Sequence, residues 1–175
     1  MSSPPPTPVG RVLVLGTGTG VGKTSFAAAL VRDAVARGAD AVGLKPIETG
    51  PDHELDSAAL SAAGPVATPA LYRFQDPVSP HLAARRAGRV IDLEGVGPWL
   101  AAHCRPFTVV EGAGGVFSPL SASQTNFDLV EQVAPDSLVL VCAGRLGTFH
   151  DVGATLRASR ALPWSLLVVS GVEGR

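Results

Sequence analysis

The stretch GTGTGVGKT, residues 16–24, decides the fold of this chain. Its closely spaced glycines and its Gly-Lys-Thr ending are typical of a loop whose backbone N–H groups surround a polyphosphate. Five residues lie between Gly16 and Gly22, whereas the common form of this loop has four at the equivalent place. The stretch therefore predicts phosphate binding by a wide-spaced variant of the loop.

The sequence on either side of the loop predicts a strand before it and a helix after it. RVLVLG, residues 11–16, is a short apolar run that ends at a glycine, as in a strand buried on both faces. The helix is predicted over residues 25–38, with Gly38 as its C-terminal stop. One stripe of this helix carries the predicted core residues Phe26, Leu30, Val31 and Val35.

Apolar runs and helical patterns alternate along the remainder of the chain, which predicts an α/β fold with a doubly wound, mainly parallel sheet. A polar segment over residues 46–54 is predicted to be a loop. In such sheets ligands bind at the carboxyl ends of the strands. Further strands are predicted at residues 41–45, 107–112, 137–144 and 164–171, and further helices at 55–64, 79–88, 92–104 and 151–162.

Composition restricts the domain organisation and the partners. With 175 residues, 46% of them hydrophobic, the chain suits one globular domain, predicted over residues 10–175 after a disordered, proline-rich leader at residues 1–9. The net charge of −1 supplies no basic field, so a nucleic-acid partner is not expected. The sequence has neither a signal peptide pattern nor an apolar run long enough to span a bilayer, and Cys104 and Cys142 lack CxxC spacing. We therefore expect no membrane partner and a cytoplasmic location.

Lys45 ends the second predicted strand in GLKPIETG, residues 43–50. An ammonium at the carboxyl end of that strand is expected to face the same crevice as the phosphate-binding loop. An ordinary solvated lysine is the alternative. Thr49 lies four residues further on. It is a candidate site residue only because it lies near Lys45 and the phosphate-binding loop.

A carboxylate follows directly after a buried strand in VVEGAGG, residues 109–115. Burial would disfavour the charge of Glu111 unless it is paired, and Mg²⁺ is the partner that a phosphate-binding crevice offers. A salt bridge at the strand end is the alternative. Asp56 is open to two interpretations of equal weight, as the N-cap of the following helix or as a second Mg²⁺ ligand.

The loop itself supplies the remaining nucleotide contacts. Lys23 is expected near the β- and γ-phosphates, and the hydroxyl of Thr24 is expected to bind Mg²⁺. The residues predicted to bind the nucleotide come from this loop, from the second glycine-rich stretch and from the two carboxylates. They are Gly20, Val21, Gly22, Lys23, Thr24, Asp56, Glu111, Gly112, Ala113 and Gly114.

Five motifs in this order resemble those of dethiobiotin synthetase, an enzyme family of biotin synthesis. That family also has five residues between the glycines of its loop. The resemblance covers about residues 12–171 and rests on GTGTGVGKT, GLKPIETG, LDSAAL, SPHLAARRAG and VVEGAGGVFSPL. It implies P-loop NTPase architecture, with ATP and Mg²⁺ as cofactors and a homodimer in which the segment RLGTFHDV, residues 145–152, reaches the partner's site.

The resemblance also implies the reaction. An amine of 7,8-diaminopelargonate captures carbon dioxide as a carbamate, whose oxygen attacks the γ-phosphate of ATP. The neighbouring amine then closes a cyclic urea on the carbamic-phosphoric anhydride. The implied roles are charge stabilisation by Lys23 and Lys45, Mg²⁺ binding by Thr24, Asp56 and Glu111, a substrate contact by Thr49, and a place in the same pocket for Thr19.

Several positions depart from the family pattern. Gly18 replaces an aspartate, His150 replaces an asparagine, and Ser170 and Gly171 replace the pair that contacts adenine. The sheet is also expected to be short at its C-terminal end. Two alternatives therefore stay open, a regulatory or partitioning ATPase of the deviant P-loop kind and a catalytically weakened nucleotide-binding paralogue. The first generally carries a second lysine within the loop, and residues 17–21 contain none.

Overall fold

The computed structural model describes residues 7–171, and residues 1–6 of the predicted leader and 172–175 lie outside that range. Within it, five parallel strands form the main sheet, in the order β2-β5-β1-β6-β7, and β3 and β4 form a small parallel sheet. This confirms the predicted doubly wound α/β fold. In chain order the strands are β1 (Gly10–Gly16), β2 (Ala41–Leu44), β3 (Ile47–Thr49), β4 (Tyr72–Phe74), β5 (Phe107–Gly115), β6 (Ser137–Ala143) and β7 (Trp164–Ser170).

Six α-helices connect the strands in the described part of the chain, with 3-10 turns at Asp52–Glu54 and Leu93–Gly95. No helix among these residues has the length and apolar character needed to cross a membrane. The α-helices are α1 (Lys23–Ala36), α2 (Asp56–Ala63), α3 (Pro80–Arg86), α4 (Val96–His103), α5 (Asn126–Val133) and α6 (Thr148–Ala158).

Successive side chains of β1 enter opposite layers of the core, because side chains alternate across a strand. Leu13 and Leu15 pack in the layer that α3, α4 and α5 cover, whereas Val12 and Val14 pack in the layer that α1 and α2 cover. Burying each such side chain contributes about 1.5–3 kcal/mol. Both faces of the sheet centre are therefore closed.

The inward face of α1 differs from the predicted stripe. Val35 is 37% exposed, and the buried face consists of Ala27, Ala28, Val31 and Ala34. Small residues suit this face because α1 approaches its neighbours closely: a Cβ on Gly64 would lie 3.1 Å from Val31 Cγ1. The prediction from apolar periodicity was therefore wrong in placing Val35 in the core.

The segment at residues 46–54 is not simply a polar loop, so that prediction was wrong. It contains β3, in which Ile47 and Glu48 are buried. β3 pairs with β4, and the carboxylate of Glu48 accepts hydrogen bonds from Ser57. A polar residue is tolerated in this buried strand because its hydrogen bonds are satisfied.

The strand order places the predicted motifs at one edge of the sheet. β5 lies between β2 and β1, with Leu44 opposite Val110 and Val14 opposite Glu111. The strands are parallel, so Lys45 after β2, Glu111 near the end of β5 and the loop after β1 all lie at the carboxyl edge. This is the edge at which parallel sheets bind ligands.

Candidate active site

A cleft of about 640 Å³ opens at the carboxyl edge of β1, β2 and β5. Of the site residues predicted from the sequence, all line this cleft except Val21 and Gly112. Val21 is in the apolar core, and Gly112 packs so closely that a Cβ there would lie 2.5 Å from Leu15 Cδ2. Thr19 and Thr49 are both among the lining residues.

Lys45 stands at the centre of a charged network inside the cleft. Its ammonium donates to Asp56 Oδ2 at 2.6 Å and to Glu111 Oε1 at 2.7 Å. The hydroxyl of Thr24 lies 2.8 Å from Asp56 Oδ1 and 2.9 Å from Glu111 Oε1. These four side chains come from α1, α2, β5 and the end of β2, so tertiary packing assembles the network.

Burial and charge compete in setting the ionisation of this network. Burial acts to lower the pKa of Lys45, but Glu111 and Asp56 outweigh it and raise that pKa above its usual value. Burial raises the pKa of Glu111 against the opposing effect of Lys45. Burial also acts to raise the pKa of Asp56, yet Lys45 and Thr24 hold it below its usual value. The pKa values of the two carboxylates thus shift in opposite directions, and the two groups differ in burial, since 41% of the Asp56 side chain is exposed against 1% for Glu111.

The donor set of the network fits a hard divalent cation. Glu111 lines the cleft, and its Oε2 is buried without a hydrogen-bond partner in the described structure, so one carboxylate oxygen has an unused acceptor. Two carboxylates and a hydroxyl are the oxygen ligands that Mg²⁺ accepts alongside water and phosphate. The described residues contain no cluster of three or more His, Cys, Asp or Glu that could hold a metal by themselves. The two carboxylates and the hydroxyl beside the phosphate-binding loop therefore fit Mg²⁺ by the chemistry of their oxygens.

The phosphate-binding loop adds a second ammonium to the cleft. Lys23 is 6% exposed, and its Nζ donates to the carbonyl oxygen of Gly18 at 3.0 Å. Burial, and to a smaller extent Lys45, lowers the pKa of Lys23 to about 8. Gly22 precedes α1 with a φ of 91°, a conformation that favours glycine. The N-terminus of α1 therefore faces the cleft with its partial positive charge.

The opposite wall is the end of β5, which Asn126 supports. Asn126 is fully buried, and its amide donates to the carbonyl oxygens of Ala113 at 2.6 Å and Gly115 at 2.8 Å. Between these two residues, Gly114 has a φ of 76°. β5 thus extends beyond the predicted strand at residues 107–112 through the glycine-rich stretch to Gly115, and a side chain of α5 holds this end in place.

Two residues that sequence reasoning missed, Glu48 and Asn126, are buried polar groups next to the cleft. Each satisfies backbone groups on another element rather than contacting the cleft itself. For Asn126 a local signal was available, because Thr125 and Asp128 form a capping box that marks the start of α5. Nothing local distinguishes Glu48 from the polar residues around it.

Asp56 resolves the alternative left open by the sequence. It is the first residue of α2, while Leu55 occupies the N-cap position without a side-chain cap. The N-cap interpretation of Asp56 was therefore wrong, and its carboxylate turns to Lys45 and Thr24 instead. Glu111 does form a salt bridge, to Lys45, within the same network.

Comparison with known proteins gives a consistent family. The family described as an AAA domain matches residues 10–173. The ATP-dependent dethiobiotin synthetase BioD of Anaeromyxobacter dehalogenans (strain 2CP-C) is 39% identical, covering 91% of this chain and 75% of that protein. The chain belongs to the dethiobiotin synthetase family. Equally named proteins of Rhodopseudomonas palustris (strain CGA009) and Mycobacteroides abscessus are 40% and 37% identical, over 91% and 90% of this chain and 73% and 72% of theirs.

Solved structures resemble this chain at the level of the fold. The kinase domain of Escherichia coli tyrosine kinase ETK matches with a TM-score of 0.59 and 15% identity, over 95% of this chain and 69% of that chain. Signal recognition particle 54 kDa protein from Aeropyrum pernix, in complex with GDP, matches with a TM-score of 0.56 and 23% identity, over 98% and 37%. Both similarities concern the α/β fold alone.

The departures from the pattern of dethiobiotin synthetase occupy distinct places. A Cβ on Gly18 would meet nothing within 4 Å, so the loop leaves open space at this position. His150 is exposed at the start of α6. Ser170, at the end of β7, donates its hydroxyl to the carbonyl oxygen of Val21 in the phosphate-binding loop. Ser170 therefore links the last described strand to the phosphate-binding loop.

Proposed function

We propose that this chain catalyses the ATP- and Mg²⁺-dependent closure of dethiobiotin from 7,8-diaminopelargonate and carbon dioxide. The observation that carries the proposal is the convergence of Lys23, Lys45, Thr24, Asp56 and Glu111 on one cleft beside a phosphate-binding loop. Phosphoryl transfer needs little covalent participation by the protein, and it depends on positioning and charge stabilisation. A cleft with two ammonium groups and an oxygen-rich cation site supplies both.

Lys23 and Lys45 have complementary roles in this proposal. Lys23 lies within the loop and donates to it, so its ammonium serves the β- and γ-phosphates. Lys45 follows β2 and donates to both carboxylates, and its ammonium would stabilise the carbamate oxygen that attacks the γ-phosphate. Stabilising charge on both the attacking and the transferred group lowers the barrier without a proton transfer by the protein.

Thr24, Asp56 and Glu111 would hold Mg²⁺, and the partnerless Oε2 of Glu111 supports this assignment. When bound, Mg²⁺ neutralises charge on the phosphates. Lys45 already contacts both carboxylates, so it keeps them close together and oriented toward Thr24.

The substrate side of the cleft is assigned to Thr49 and Thr19. Thr49 ends β3 and Thr19 belongs to the phosphate-binding loop, so the two hydroxyl groups approach from different elements. Pro77 and Val78 add apolar surface to the cleft lining. A cleft with both apolar and hydroxyl surface suits an amine substrate with an alkyl chain.

We further propose that the protein acts as a cytoplasmic homodimer. Leu146 and Phe149, in the segment at residues 145–152, are almost fully exposed. Large apolar side chains on the surface favour a protein partner. Analytical ultracentrifugation of the protein and of a Leu146→Asp, Phe149→Asp double variant tests this proposal, since a dimer seated there would dissociate. A monomeric wild-type protein would contradict it.

The reaction is tested directly with purified protein, ATP, Mg²⁺, bicarbonate and diaminopelargonate. We expect the cyclic urea to appear by mass spectrometry, together with phosphate release that requires the diamine. Phosphate release at the same rate without the diamine would favour an ATPase function instead. Neither product nor hydrolysis would indicate a nucleotide-binding paralogue without this activity.

A further inference from the structure

Glu48 is a buried carboxylate next to the cleft that has no part in the function proposed above. It is 2% exposed and lies in the middle of β3, directly before Thr49. Burying a carboxylate is costly unless hydrogen bonds satisfy its oxygens. The partners of Glu48 therefore indicate what its burial achieves.

Both oxygens of Glu48 accept hydrogen bonds from one residue of α2. The backbone N–H of Ser57 donates to Oε1 at 2.9 Å, and the Ser57 hydroxyl donates to Oε2 at 2.6 Å. α2 begins at Asp56 and has no side-chain cap at Leu55. Glu48 thus supplies, from β3, an acceptor for the first turn of α2, where a negative charge is also favoured by the helix dipole.

The residue fixed in this way adjoins a cleft residue. Asp56 precedes Ser57, and its two oxygens contact Thr24 at 2.8 Å and Lys45 at 2.6 Å. A shift of the first turn of α2 would move this carboxylate relative to Thr24 and Glu111. The side chain of Asp56 is 41% exposed, so core packing contributes less to holding it than it does for Glu111.

We propose that Glu48 is a positioning residue, which through Ser57 holds Asp56 on the cation side of the cleft while its own strand holds Thr49 on the substrate side. The proposal rests on the proposed function for the identity of the two sides. Glu48 is not among the residues that line the cleft, so it would act through its neighbours. Its effect is to fix the distance between β3 and the start of α2, and therefore between the two groups that the reaction must bring together.

The test measures binding of Mn²⁺ in the presence of ATP, by electron paramagnetic resonance of free Mn²⁺, so that no turnover is needed. We expect Glu48→Ala to weaken Mn²⁺ binding by about tenfold, the lower end of what partners of ligating carboxylates contribute. Glu48→Gln keeps an acceptor oxygen for the Ser57 N–H and should stay within about twofold of the wild-type protein. Glu131→Ala, an exposed glutamate of α5, is the matched control and should change nothing.

A merely structural role predicts a different pattern. If Glu48 only stabilised the fold, Glu48→Ala would lower the unfolding temperature and leave the Mn²⁺ affinity of the folded protein unchanged, and that result would overturn the proposal. Equal loss of affinity in the Ala and Gln variants would also overturn it. If Glu48→Ala does not fold, Ser57→Ala, which keeps the backbone bond, should weaken Mn²⁺ binding by about twofold to threefold, and wild-type affinity would reject the proposal.

The readout separates this proposal from the proposed function. A wild-type protein that binds Mn²⁺ with ATP but makes no dethiobiotin would defeat the function while leaving the positioning role of Glu48 measurable. A wild-type protein that does not bind Mn²⁺ with ATP would defeat both. In active protein, we expect Glu48→Ala to raise the KM for Mg²⁺ by about tenfold and to change kcat less.

Discussion

Strands β6 and β7 are neighbours in one sheet, yet the two strands differ sharply in burial. Leu140 of β6 is fully buried, while its pairing partner Leu167 on β7 is 45% exposed. The next pair repeats the contrast, with Val139 at 3% and Leu166 at 51%. α6, which precedes β7, has no buried residue. Similar apolar sequences thus form a closed sheet centre on one side and an open edge on the other.

The charged and the exposed apolar side chains lie on different sides of the sheet, as the difference in burial does. The charged network lies on the closed side, between β2, β5 and β1, where burial strengthens interactions between charges. The open side carries large apolar side chains at the surface, among them Leu146 and Phe149. Rigid packing therefore holds the cleft, and the open side presents the surface through which we propose the protein dimerises.

The largest expected effect tests the burial difference itself. Leu140→Ala should lower the free energy of unfolding by about 3 kcal/mol, because it removes a fully buried side chain and leaves a cavity. Leu167→Ala, the partner on the same face of the sheet, should cost about 1 kcal/mol, since much of its side chain is already exposed. Chemical denaturation of both variants measures the difference. Equal losses would show that β7 is covered in solution.

Replacing a glycine by alanine should change stability in opposite directions on the buried and the exposed side of the sheet. Gly112→Ala should destabilise the protein by about 2 kcal/mol, because the new Cβ would lie 2.5 Å from Leu15 and 2.8 Å from Asn126. Gly153→Ala, within α6, has open space around its Cβ and should stabilise by about 0.5–1 kcal/mol through higher helix propensity. Thermal melts report both signs. A destabilising Gly153→Ala would mean that a neighbour packs against α6.

Lys45, in the cleft, and Arg157, on the exposed helix α6, should differ in their effect on turnover. Lys45→Gln should lose at least about tenfold in turnover, or about 1.4 kcal/mol of transition-state stabilisation, while nucleotide binding largely persists. Arg157→Gln, an exposed cation on α6, is the control and should leave turnover unchanged. Steady-state kinetics with diaminopelargonate measure both variants. Unchanged turnover of Lys45→Gln would defeat the role assigned to Lys45.

The smallest expected effect concerns the hydrogen bond between Ser170 of β7 and Val21 of the phosphate-binding loop. Ser170→Ala removes the hydrogen bond to Val21 and should lower stability by about 1 kcal/mol and ATP affinity by about threefold. Ser165→Ala, at the other end of β7, loses a hydrogen bond with Leu138 N–H and should lower stability alone. Calorimetric titration with ATP separates the two variants. If both bind ATP equally well, β7 does not support the loop.

Local patterns predicted the phosphate-binding loop, the strands of the main sheet and the edge at which Lys45 and Glu111 meet. They failed where the answer depends on a distant partner. The sequence predicts a loop where β3 lies, because nothing near Glu48 in the sequence reveals that Ser57 satisfies its carboxylate. The apolar pattern of α1 predicts a core of large side chains, although the close approach of α2 favours alanines there.

The sequence by itself determined which chemical groups this protein can use, because the glycine-rich loop, the lysine at a strand end and the carboxylate after a buried strand are each set by a short stretch of neighbouring residues. Only the tertiary structure decided that Asp56 joins Lys45 and Thr24 rather than capping α2. It alone decided, too, that β6 is buried while β7 stays open. Both outcomes depend on what packs against a residue, and packing is set by elements far away along the chain.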